Sequence, residues 1–266
     1  MTDQDRDLLI AIAHALADVA RVETLAHFRG GALGIENKID GGFDPVTIAD
    51  RAAEQAMRDL LNRNRPDDSI LGEEFGSYIG TSGLTWVLDP IDGTRGYMSG
   101  TPTWGVLIAV TDETGPQFGI IDQPYTGERF VGGLGLAEMT SPQGRRALQT
   151  LPSRGLDHAV LFTTFPEVGT PSEGAAFHEL SGQCRLTRYG MDCYAYALLA
   201  LGQIDLVVEA GLNPYDIQAP IAVIEAAGGI VTDWQGGSAQ HGGRVLAAAN
   251  PQIHAEALAI LSKAGD

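Results

Sequence analysis

The stretch Trp86-Val87-Leu88-Asp89-Pro90-Ile91-Asp92-Gly93-Thr94 constrains this chain more than any other. An apolar run of strand character ends on an acid, proline bends the backbone away from further ladder pairing, and a second acid returns at Asp92. Two acids on a tight turn at a strand end can point into one space. Bare carboxylates there repel each other, and one of them tends to take up a proton. A hard divalent cation such as Mg²⁺ relieves that repulsion, binding through oxygen and keeping waters that a phosphate can replace. Gly93 lets the backbone approach a ligand closely, and its N–H, with that of Thr94, can face phosphate oxygens. Read alone, the motif also has an ordinary explanation, because Asp is common in turns beside Pro and Gly.

The formal net charge of -17 argues against nucleic acid or an anionic membrane as a partner, since either would be repelled. Hydrophobic residues at 44% and charged residues at 19% allow a large core. The two cysteines, Cys184 and Cys193, have no second pair and no His-rich neighbourhood to make a zinc site, so they read as free thiols. The start, Met1-Thr2-Asp3-Gln4-Asp5, lacks the basic and apolar segments of a signal peptide, and no apolar run is long enough to span a bilayer. The expected location is the cytoplasm.

Helical spacing of Leu8, Ile12, Leu16, Val19, Val22 and Leu25 predicts a first helix over 4–28, and Thr47 caps a second that ends by Pro66. Short β runs follow at 69–72, 86–88, 106–110, 118–121 and 129–131, punctuated like antiparallel strands. Gly132-Gly133-Leu134-Gly135 reads as a loop, too generic for a dinucleotide site. Residues 136–158 are polar and irregular and mark the expected internal boundary. The chain is expected to be one compact unit, with an α+β half over 1–135 and an α/β half over 136–266. In the second half strands at 159–163, 185–188, 205–209, 230–233 and 245–248 alternate with helices at 177–180, 193–201, 215–227 and 251–263.

Further acids stand at telling places. Asp44-Pro45-Val46-Thr47-Ile48-Ala49-Asp50 precedes and opens a helix, where capping explains Asp50 equally well. Ile70-Leu71-Gly72-Glu73-Glu74-Phe75 ends a strand on paired acids, and Pro214-Tyr215-Asp216 opens another helix. In this order, with Ala226-Ala227-Gly228-Gly229 downstream, they resemble the inositol monophosphatase family of metal-dependent phosphatases. The resemblance runs from the second helix to the strand at Val245. It implies a layered α/β/α/β/α sandwich, a homodimer, and two or three Mg²⁺ per subunit. It implies one metal on Glu73, Asp89 and the Ile91 carbonyl, a second between Asp89, Asp92 and Asp216, and a weaker third near Glu73. Gly93 and Thr94 would hold phosphate, Thr94 paired with Asp44 would orient the attacking water, Glu74 would be a supporting acid, and Lys38 a basic neighbour of the site.

Such a cluster suits in-line displacement at phosphorus by a metal-activated water, without a covalent phospho-enzyme. A nucleophilic-aspartate design spaces its acids as D-x-D, unlike Asp89 and Asp92, and the chain has neither a P-loop nor a G-x-S-x-G elbow. Within the family, 185–196, 208–216 and 231–236 look most like the histidinol-phosphate phosphatase branch. Gly96-Tyr97 departs from the Ala-Phe that branch often carries. Asp192 and Glu209 would attract a cationic leaving alcohol, although a helix cap and a strand-end surface acid would also explain them. Arg188 would orient one of the two, and Tyr194 and Tyr196 read as helix packing. An inositol-1-phosphate phosphatase is the next reading; a 3′-phosphonucleotide or fructose-1,6-bisphosphate phosphatase is third. A non-catalytic Mg²⁺- or phosphometabolite-binding regulator is the reading from another class.

Overall fold

The computed structural model of the chain describes residues 2–30, 36–37 and 45–265. Lys38 and Asp44, two of the expected site residues, lie outside them.

The expected first helix is α1, Asp3–His27, closed at its start by the reciprocal Thr2–Asp5 capping box. After the short pair β1 (Glu36–Asn37) and β2 (Pro45–Val46) comes α2, Ile48–Asn64, capped by Thr47. The first large sheet contains β3 (Ser69–Gly72), β4 (Gly76–Tyr78), β5 (Thr85–Asp92), β6 (Gly105–Asp112), β7 (Gly115–Gln123), β8 (Glu128–Gly133), β9 (Leu136–Ser141) and β10 (Gly144–Ala147), with α3 (Thr94–Ser99) between β5 and β6. Its spatial order is β10-β9-β8-β7-β6-β5-β3-β4. Residues 136–147, expected to open the second half, are thus the last two strands of the first sheet, and the change of sheet falls between Ala147 and Val160. Their polar character suits an outer hairpin: β10 is exposed along its length.

The second sheet is built from β11 (Val160–Thr163), β12 (Leu186–Tyr189), β13 (Leu206–Leu212), β14 (Ile230–Thr232) and β15 (Gly243–Ala248), in the order β12-β11-β13-β15-β14. Four helices belong with it: α4 (Pro171–Ser181), α5 (Asp192–Ala200), α6 (Pro214–Ala226) and α7 (Pro251–Leu261). Three of the apolar clusters hold the five layers together. Leu16, Ala17 and Met57 of α1 and α2 meet Trp86, Ile108 and Phe118 on one face of the first sheet. Residues of α5 and α6, among them Leu199 and Val223, fill the space between the two sheets. Phe177 of α4 and Ile253 of α7 cover the outer face of the second sheet with Leu206 and Leu246. The layering is α/β/α/β/α, as expected.

One close approach sets where the site lies. Gly119 of β7 and Gly132 of β8 are register partners. A Cβ on Gly119 would stand 2.4 Å from the Ala219 carbonyl oxygen, and one on Gly132 would stand 2.3 Å from Val223 Cα. Helix α6 therefore lies directly on bare backbone. Gly132, expected in a loop, is a strand residue for this reason, while Leu134 and Gly135 make the turn with positive φ. Gly132→Val should destabilise the fold by about 1–3 kcal/mol through overpacking, read as a fall in melting temperature in EDTA. An unchanged melt would mean that α6 is not seated on these glycines.

Candidate metal centre and active site

The site begins with an irregularity in β5. Asp89 pairs with Leu107 and Asp92 with Gly105, so three steps along β5 face two along β6. In an unbroken strand, positions 89 and 92 would point to opposite faces; the extra residue brings both acids to one side. The strand does not stop at Pro90 as expected, but runs on through the bulge to Asp92. The Asp89 carboxylate then accepts the Ile91 N–H at 3.0 Å, which fixes its direction.

Asp216 arrives from the start of α6. One of its oxygens accepts the Asn213 N–H at 2.7 Å as a cap, leaving the other free to face the acids of β5. Carboxylate oxygens of Asp89, Asp92 and Asp216 all lie within 4.8 Å of one another. Asp92 also accepts the N–H of Cys193 at 2.6 Å, from the first turn of α5. Glu73 lines the same cavity from the end of β3. Its position depends on a residue that was not anticipated: Glu54 of α2, fully buried, accepts the N–H groups of Glu74 at 2.7 Å and Phe75 at 3.2 Å and pairs with Arg58 at 2.7 Å. Gly72 leaves room for the Glu54 carboxylate, because a Cβ there would lie 2.0 Å from it and push it aside. The four-residue spacing of Asp50, Glu54 and Arg58 on one helix face was the available signal.

The cavity measures about 290 Å³ and is walled by residues of β5, α3, α5, β13 and the start of α6. Burial, then the charge of Glu73, then those of Asp92 and Asp216, drive the Asp89 carboxyl far above the carboxylate range. Burial and the charges of Asp192 and Asp216 do the same to Asp92. Asp216 is pushed up to about 7, first by burial and also by Glu73. Closely set hard oxygens that are costly to ionise unaided suit a divalent cation, which favours their ionised form. The donor set therefore fits the expected metal.

Gly93, with φ 84, caps α3, and it and Thr94 line the cavity. The Thr94 hydroxyl donates to the Ile91 carbonyl at 3.1 Å and, more weakly, to Asp50 at 3.4 Å. Asp44, its expected partner, is outside the described residues. Asp50 itself is the expected cap, accepting the Thr47 N–H at 2.8 Å.

Asp192, Glu209, Thr164, Phe165 and Arg95 line the same cavity. Glu209 is 7% exposed, not a surface acid. It accepts the Thr164 N–H at 2.8 Å and hydroxyl at 2.9 Å, and burial pushes its carboxyl up to about 7. Asp192 is the first residue of α5 rather than its cap and adopts φ 46, an uncommon conformation for a side-chain-bearing residue. Burial pushes it up to about 6, against a hydrogen bond from Thr103 and the charge of Arg95. Arg188 is corrected: it lies exposed on the edge strand β12 and does not line the cavity, because Gly190, at φ 76, turns the chain from that strand into α5. The cation at the rim is Arg95, whose guanidinium carbon lies 4.9 Å from the centre of the Phe165 ring.

A cluster of carboxylates suited to a cation, lining a cavity in this layered fold, is the arrangement a metal-dependent phosphatase requires. Residues 5–265 match the family described as inositol monophosphatase family. The chain is 38% identical to the bifunctional phosphatase IMPL2 of Arabidopsis thaliana, over 97% of this chain and 76% of that protein. It is 35% identical to the histidinol-phosphatase of Mycobacterium tuberculosis, over 96% of this chain and 98% of that one. An inositol monophosphatase from Zymomonas mobilis superposes with a TM-score of 0.84 at 39% identity, covering 98% of this chain and 100% of its own. The chain belongs to the inositol monophosphatase family, whose members depend on metal. No helix among the described residues is long and apolar enough to cross a membrane.

Proposed function

We propose that the chain hydrolyses L-histidinol phosphate to L-histidinol and phosphate with Mg²⁺ bound, in the cytoplasm and as a homodimer. The feature that supports this substrate is the pair of further acids in the cavity wall. Asp192 and Glu209 line the same cavity as the metal-binding acids, and a leaving group bearing an ammonium and an imidazole would be attracted by negative partners that a neutral cyclitol does not need. The likeness to histidinol-phosphatases over almost the whole chain supports the same reading.

Bound Mg²⁺ supplies a Lewis acid for the phosphoryl oxygens and a water of lowered pKa. Asp89, Asp92, Asp216, Glu73 and the Ile91 carbonyl are the groups that would hold it, with Glu54 keeping the Glu73 turn in place. The N–H groups of Gly93 and Thr94, at the start of α3, would take phosphate oxygens. The Thr94 hydroxyl, held by Ile91 and Asp50, orients the attacking water, and Asp44 is assigned as its base.

The likeness to an inositol monophosphatase keeps one rival, hydrolysis of inositol 1-phosphate. Steady-state phosphate release from both esters separates the two. The expected result is a kcat/KM for histidinol phosphate about a hundredfold above that for inositol 1-phosphate, the worth of one or two charge-assisted contacts. A preference for inositol 1-phosphate would defeat the proposal. Absence of Mg²⁺-dependent release from any small ester would favour a binding role.

A further inference from the structure

Helix α5 starts without a cap of its own. Its N-cap residue, Met191, makes no side-chain hydrogen bond to the N–H groups of the first turn. The group that meets one of them comes from the first sheet: Asp92, at the end of β5, accepts the Cys193 N–H at 2.6 Å. A carboxylate at the positive end of a nine-residue helix is well matched in charge. One oxygen of Asp92 serves this contact, so a cation can take the other.

Two glycines make room for this contact. Gly105 is the register partner of Asp92 across the β5 bulge. A Cβ there would lie 2.8 Å from the Cys193 sulfur, so the thiol fills the notch that the missing side chain leaves. Gly93 follows Asp92, and a Cβ on it would lie 2.8 Å from the Asp192 Cβ. The first two residues of α5 are therefore seated over the two glycines, with the Cys193 N–H on Asp92 between them. Cys193 is 2% exposed, which leaves its thiol little room to turn aside. Asp192 reaches this seat with φ 46, a conformation that is costly for a residue with a side chain and persists only where its surroundings hold it. Ordinary helix packing requires neither that conformation nor bare backbone on both sides of Asp92.

We propose that Cys193 is a positioning residue for the metal centre: its N–H, delivered by the seat over Gly105, fixes the direction in which the Asp92 carboxylate meets a cation. The proposal rests on the reading of Asp92 as a metal ligand. A carboxylate that is free to swing must be ordered when the cation arrives, so loss of the contact shows as weaker cation binding.

The test crowds the notch and then empties it. Mg²⁺ binding is measured by calorimetry, with no ester present, on wild type, Gly105→Ala, Cys193→Ala and the double variant. Gly105→Ala should raise the Mg²⁺ dissociation constant about tenfold, the usual effect of losing a hydrogen bond that orients a metal ligand. Where Cys193 is already alanine, the same change should matter by less than about twofold, because the sulfur it meets is gone. Excess Mg²⁺ should also restore most of kcat on phenyl phosphate in Gly105→Ala, which a general loosening of the fold would not allow. Unmoved Mg²⁺ affinity in Gly105→Ala overturns the proposal. So does an equal loss in both backgrounds, which would place the strain at the Asp122 carbonyl oxygen, 3.0 Å from the same point. Should Gly105→Ala fail to fold, Cys193→Val crowds the notch from the helix side: Mg²⁺ binding about tenfold weaker supports the seat, and unmoved binding overturns it. A wild type that binds no Mg²⁺ would defeat the metal reading of Asp92 itself, and the proposal with it.

Discussion

Asp89→Asn abolishes Mg²⁺-dependent phosphate release and leaves the metal-free fold at least as stable as wild type. The first half follows from position. Asp89 is central to the oxygen cluster, within 4.8 Å of both Asp92 and Asp216, and exchanging a charged oxygen donor for a neutral amide weakens cation binding directly. Metal-derived stabilisation of several kcal/mol is then lost, a fall of about a thousandfold or more in kcat/KM. The second half follows from electrostatics. Burial and three neighbouring acids oppose ionisation of Asp89, so a neutral side chain of the same shape relieves repulsion. The amide oxygen can still accept the Ile91 N–H. Phosphate release and melting in EDTA check the two halves; a variant that keeps activity, or one that unfolds, would contradict the account.

The melting temperature of the metal-free protein should depend on pH in a way that Mg²⁺ corrects. Glu209 is raised from 4.5 to about 7, Asp216 from 3.8 to about 7, and Asp192 and Asp50 from 3.8 to about 6. A carboxyl raised in the folded state holds its proton more tightly there than in the unfolded chain. Its stabilisation is complete below the unfolded value and is lost as pH climbs through the folded one. For Glu209 alone the loss is on the order of 3 kcal/mol between pH 4.5 and 8. His14 and His254, held below their ordinary 6.5 by burial, act oppositely on the acid side, so the diagnostic quantity is the cation-induced rise. That rise should be several degrees larger at pH 8 than at pH 5, because the cation binds the ionised acids and proton competition falls as pH increases. Equal rises at both values would show that these acids do not share the cation.

Much of the site was legible because its residues carry strong local constraints. Asp89, Asp92 and Gly93 lie in a run whose strand, proline and glycine announce themselves, and Asp216 follows Pro214 at a helix start. Thr47 capped its helix as the sequence indicated. The strands of 136–147 were not legible, since an exposed edge hairpin lacks the apolar alternation that marks a strand. Arg188 misled because distance along the chain says nothing about which side of a turn a residue faces.

By itself, then, the sequence determined most of the element types and the acids available to a cation, since periodicity, caps and turn chemistry are local properties; the layered class was implied by the family resemblance. Tertiary structure decided which of those acids meet. The bulge in β5 turned Asp89 and Asp92 to one side, the Gly119–Gly132 trough seated α6 so that Asp216 reached them, and Glu54 held the turn that carries Glu73. Convergence of this kind depends on packing distances between elements remote in sequence, which no local pattern encodes.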